Sequence, residues 1–88
     1  MAHSYEYQFY KPGSSEDTAA TLSTDEPLPH IEVGHSLMLE ADDYSTRMGH
    51  ELVITHVRTY LFLQKGFVIR QRTSIYLTEK DRAEILPR

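Results

Sequence analysis

Five histidines, His3, His30, His35, His50 and His56, stand among 88 residues. Imidazole is the side chain most often recruited for metal binding or proton transfer near neutral pH. No two of them have the helical ligand spacing of a zinc site, and the chain has no cysteine to complete one. His30 and His35 straddle Gly34, and His56 lies further on, so a metal would need them to converge through folding. Surface histidines are the simpler reading. Glu40 with Asp42 and Asp43 could supply the paired carboxylates of acid–base catalysis. Acids in a polar loop, however, are normally solvated and ionised. Ser14 and Ser15 have no base at a defined spacing, and no glycine-rich loop could cradle a phosphate. The expectation is a non-enzyme with no catalytic residue, no metal and no cofactor.

A different chemistry gathers later in the chain. Arg58, Tyr60 and Phe62 alternate on one strand-like run, and Arg70, Arg72 and Tyr76 on the next. Guanidinium groups interleaved with aromatic rings serve both protein interfaces and single-stranded nucleic-acid readers. Charge is divided along the chain in the same sense. Residues 1–56 carry ten acids against two bases (−8), and residues 57–88 carry seven bases against three acids (+4). Three readings of the Arg/Tyr side compete. It is covered within the chain by Glu32, Glu40 or the acidic 16–26 segment. It binds a protein partner or a second copy. Or it binds single-stranded nucleic acid, against which the net charge of −4 counts. The expectation is a non-catalytic interaction module, with a protein partner or homodimer favoured, nucleic acid the alternative, and no membrane.

These six residues need a hairpin to hold them. Residues 51–63 are dense in Val, Ile, Thr, Tyr and Phe without a breaker. Gly66 as the third residue of a Gln64-Lys65-Gly66 loop predicts a type I turn with a G1 bulge. That turn pairs Leu63 with Phe67, Leu61 with Ile69 and Arg58 with Arg72, an unfavourable opposition of like charges. Continued unbroken, the register would turn Ile54 to the polar side. One extra residue at Thr55-His56 removes the conflict, sets Ile54 against Ile75 and Leu52 against Leu77, and predicts a β-bulge there.

Around the hairpin, Tyr5, Tyr7 and Phe9 alternate with Glu6 and Gln8, a half-buried strand pattern. Residues 11–29 are rich in Ser, Thr, Asp, Glu, Ala and Pro and read as a flexible loop. Ile31, Val33, Leu37 and Leu39 predict a second strand bent at Gly34, and residues 41–49 a loop. Thr78-Glu79-Lys80-Asp81 has the composition of an N-capped helical turn, with Ala83, Ile85 and Leu86 following over the sheet. The expected fold is therefore mostly β: a small antiparallel sheet or barrel with a long 52–78 hairpin and a short C-terminal helical turn. It forms one domain over 1–88, with its core in 30–82. Lack of cysteine and of an apolar leader predicts a cytoplasmic protein.

The run Ile31-Glu32-Val33-Gly34-His35, then Leu52-x-Ile54-x-x-Val57, a hairpin and a final helical turn resembles SH3-like small barrels over residues 30–82. Such barrels usually carry an acid where His35 stands. The resemblance implies a binding scaffold and assigns no site residue.

Overall fold

Fifteen residues of strand reach about 50 Å at ~3.3 Å per residue, and the molecule's long axis is 49 Å. That axis is the hairpin. The computed structural model describes residues 4–41, 44–46 and 50–81. In chain order the strands are β1 (Ser4–Tyr10), β2 (Thr18–Thr24), β3 (Ser36–Leu37), β4 (Glu40–Ala41), β5 (Tyr44–Ser45), β6 (His50–Gln64) and β7 (Phe67–Asp81). Five of them form one curled, half-barrel sheet in the order β2-β1-β7-β6-β3, and β4 and β5 form a separate small hairpin. The sheet is mixed, because β1 runs antiparallel to β2 but parallel to β7.

The neighbours of the long hairpin are staggered. β1 flanks β7 along residues 70–75, whereas β3 flanks β6 only at Leu52 and Val53. Two further bonds, from Gly34 N–H to the Ile54 carbonyl and from Ile54 N–H to the His35 carbonyl, extend that cover by one residue. Gly34 takes φ = 94°, a left-handed turn that brings its N–H back to the sheet edge.

The core lies at the base of the hairpin. Tyr7, Phe9, Leu52, Ile54, Ile75 and Leu77 are buried there, with Leu28, Ile31, Leu37, Leu39, Tyr44 and Val57 packed around them. Leu52, Ile54 and Ile75 are fully buried, each contributing roughly 1.5–3 kcal/mol by leaving water. The Tyr7 hydroxyl accepts the Leu28 N–H at 2.8 Å and so ties the connecting chain across the inner side of the sheet. Buried Thr46 binds both backbone groups of Leu39 through its hydroxyl, closing the β4–β5 excursion.

Several expectations are revised. Thr78 through Asp81 form no helical turn. They continue β7, pairing with residues 53 back to 50 of β6. The capping pattern lost to the pairing that β6 makes available from its first residue, and Ala83, Ile85 and Leu86 lie outside the described residues. The 11–29 segment contains strand β2, whose Thr and Ala residues need little burial once β1 supplies a ladder. Between them, the Ser14 hydroxyl accepts the N–H groups of Glu16 and Asp17 and shapes the turn. The expected second strand across 31–39 shrinks to Ser36–Leu37, and part of the 41–49 loop becomes β5.

The hairpin itself is longer than 52–78 and closes differently. Gln64 pairs with Phe67 across a two-residue Lys65-Gly66 turn, with φ of 52° and 83°. Left-handed angles at both positions match the right-handed twist of a long ribbon. A register shift follows between Phe62 and Leu63, so Leu61 faces Gln71 rather than Ile69. Ile54 consequently meets Leu77, and Leu52 meets Glu79, rather than Ile75 and Leu77. The bulge expected at Thr55-His56 is present: Ile54 pairs with Leu77 and His56 with Tyr76, leaving Thr55 extra. Its hydroxyl bonds the Tyr76 carbonyl at 3.2 Å.

Candidate functional site

Side chains alternate across a strand, and the register puts Arg58, Tyr60 and Phe62 of β6 on the same outer side as Arg70, Arg72 and Tyr76 of β7. All six residues singled out from sequence thus share one face. They do not form one cluster. Phe62 lies opposite Arg70, whose guanidinium carbon sits 4.1 Å from the ring centroid, and Arg72 approaches the same ring at 5.6 Å. Tyr60 stands opposite Arg72. Tyr76 lies at the other end, stacked on Tyr10 at 4.8 Å and tilted against His56 at 5.6 Å.

Arg58 does not face Arg72. The two-residue slip sets it opposite buried Ser74 instead, so the expected like-charge opposition disappears. Its neighbour two residues on, Tyr60, offers a phenolic oxygen that raises the already high Arg58 pKa, with smaller contributions from Tyr76 and Tyr10. Arg58 is therefore a permanent, solvent-facing cation.

The residue that sequence reasoning missed is Glu6. The segments expected to cover the arginines were Glu32, Glu40 and 16–26. Instead the parallel pairing of β1 with β7 puts Glu6 beside Arg72 in the ladder. One carboxylate oxygen of Glu6 lies 2.9 Å from Arg70 Nε and the other 3.8 Å from a terminal nitrogen of Arg72. The 2.9 Å contact is close in distance but off the N–H direction, since neither atom completes a hydrogen bond. Charge rather than hydrogen-bond geometry joins the pair. The alternation of residues 5–9 already separated Glu6 and Gln8 from the aromatic side. Nothing in it said which strand would lie alongside.

Three arginines against one glutamate leave this face at +2. His30 and His35 stack at 5.2 Å, but among the described residues no three His, Asp or Glu side chains converge on a metal position. Glu40 accepts the Ser45 hydroxyl, while His3, Asp42 and Asp43 lie outside the described residues.

The other conspicuous surface is the far half of the hairpin. Leu61, Leu63 and Phe67 are 55%, 62% and 73% exposed, and Tyr60 is 48% exposed. Among the described residues, 63–69 project beyond β1 as a two-stranded ribbon with no further strand beside it. No helix among the described residues is long and apolar enough to cross a membrane. Comparison with known proteins gives no match, whether to a family model, a curated protein or a solved structure.

Proposed function

We propose that this chain is a non-catalytic interaction module that binds a protein partner, or a second copy of itself, through the far half of the β6–β7 hairpin. One observation carries the reading: the far half of the hairpin exposes large side chains on both sides, Leu61 and Leu63 on the inner side and Tyr60 and Phe67 on the outer. Scattered exposed leucines are ordinary, but several large apolar side chains gathered at one end of a ribbon mark an interaction surface. A ribbon this poorly covered gains by docking. The SH3-like likeness belongs to the same proposal, as a description of how the curled sheet and its crossing loop serve as a scaffold. So does a cytoplasmic location, on the cysteine-free composition.

Panning a random peptide display library against the protein, at concentrations low enough to keep it monomeric, tests the reading. Enriched peptides should be extended and apolar. Their affinity should fall by about tenfold or more (~1.4 kcal/mol) for the Leu63→Lys/Phe67→Lys variant, with its circular dichroism unchanged. No enrichment, or peptides indifferent to those substitutions, would sink the proposal.

A second reading, single-stranded nucleic-acid binding, rests on Arg58, Arg70 and Arg72 sharing a face with Tyr60 and Phe62. Glu6 weakens it by engaging two of the three arginines. Binding that falls steeply with salt and vanishes in Arg58→Ala/Arg72→Ala would support it. No oligonucleotide binding at low salt removes it.

A further inference from the structure

The β6 edge is covered by β3 only as far as Ile54. The Thr55 bulge then shifts the strand, and among the described residues no strand lies beyond β6 from 56 to 64. Proteins usually blunt such an edge with charges, proline or extreme shortness. This one is nine residues long, has no proline, and carries Arg58 as its only formal charge with histidine neutral.

We propose that β6 pairs antiparallel with β6 of a second copy about a two-fold axis at Tyr60, joining the two sheets edge to edge. This rests on the interaction-module reading and names its partner. The support is the self-complementarity of the sequence. About Tyr60, Val57 falls opposite the partner copy's leucine at 63, and Thr59 opposite that at 61. These pairs lie on the inner side and cover Leu61 and Leu63, which are 55% and 62% exposed in the single chain. On the outer side Arg58 falls opposite the second copy's phenylalanine at 62. A guanidinium already packs on that ring within each chain, from Arg70 at 4.1 Å. The second arginine approaches as another cation–π partner. The two Arg58 side chains stand four residues apart, so like charges are not opposed.

The only other long open edge among the described residues, β2, fails the same comparison. Antiparallel self-pairing about Thr21 would set Asp17 opposite Asp25 and Glu16 opposite Glu26 of the two copies, acid against acid at both ends. β2 would also bury little, since Leu22 is its one large side chain. Charge and apolar content therefore both select β6. An edge-to-edge contact is small, below the ~1,200 Å² of standard interfaces, so a dimer of about micromolar affinity is expected.

The cysteine-free chain makes the test direct. Tyr60→Cys alters an exposed side chain and places two thiols directly opposite, at a Cα separation of about 4.5–5.5 Å, inside the range a disulfide spans. Full-length Tyr60→Cys should oxidise to a cross-linked dimer. His56→Cys alone, with its two copies about 27 Å apart, should not. A mixture of His56→Cys with Gln64→Cys should cross-link to each other. Sedimentation velocity of the unmodified protein should show a concentration-dependent dimer that Thr59→Lys/Leu61→Lys weakens by about tenfold or more. A protein that stays monomeric throughout overturns the proposal, as does a Tyr60→Cys variant that cross-links no faster than His56→Cys. Cross-linking through Thr21→Cys instead moves the interface to β2 and also overturns it. If the dimer fails while panned peptides still need Leu63 and Phe67, only the self-pairing is lost. If both fail, the module reading goes with it.

Discussion

Removing the Glu6 carboxylate by Glu6→Gln keeps its shape and deletes the one anion that faces Arg70 and Arg72 among the described residues. Its side chain is 26% exposed, and those of the arginines are 43% and 35%. Partial exposure keeps the pair near the upper end of the surface range, about 1 kcal/mol, rather than at buried values. The off-axis Arg70 contact argues against anything larger. Glu6→Gln should cost more than Arg70→Met, because it strands two cations, whereas Arg70→Met leaves Glu6 still paired with Arg72. A double-mutant cycle by urea denaturation should give a Glu6–Arg70 coupling of about 0.5–1 kcal/mol at low salt. In ~1 M salt, where screening acts within about 3 Å, most of it should vanish. For an 88-residue chain, each kcal/mol moves the melting temperature by about 4–8 °C, so the effect is measurable by heat as well. A coupling near zero at low salt, or a costlier Arg70→Met, would refute the idea that Glu6 is the shared counter-charge of this face.

Two further outcomes are expected. Lys65 holds φ = 52° in the hairpin turn, and Asn tolerates that conformation better, so Lys65→Asn should raise unfolding stability by about 0.5–1 kcal/mol; a loss would mean the turn is not of this type. The Tyr44 hydroxyl is buried without a hydrogen-bond partner among the described residues, and burial, helped by nearby Glu79, raises its pKa above 10.0. The unfolded chain then releases that proton first, so stability should fall as pH climbs through 10.0 toward the folded value. Tyr44→Phe should flatten that part of the urea-midpoint profile without loss at neutral pH, and an unchanged alkaline slope would rule out Tyr44 as its source.

Glu6 sets the charge state of the outer face, which residue types alone did not reveal. From sequence, Arg58 and Arg72 form an opposed pair that calls for a nearby anion, with Glu32, Glu40 or the 16–26 segment as the candidates within the chain. The structure separates them and supplies an internal carboxylate to Arg70 and Arg72. The far half of the hairpin lies apart from that pairing, with Leu61, Leu63 and Phe67 exposed.

What the sequence alone determined was which side the residues of 52–62 and 70–77 take. Leu52, Ile54, Val57, Ile75 and Leu77 must share the buried side, and that requirement forces the extra residue at Thr55-His56, because a one-residue slip reverses every side chain. A two-residue slip reverses none. The hydrophobic pattern is therefore silent on whether Arg58 meets Arg72 or Ser74, and the Lys65-Gly66 turn with the second bulge near Phe62 made that choice. Tertiary structure alone also decided that Thr78–Asp81 continue a strand, since their partner at residues 50–53 is far away in sequence. It decided, too, that β1 lies parallel beside β7 and brings Glu6 to the arginines. Local pattern fixes faces, while neighbours and registers depend on contacts between segments that only the folded chain brings together.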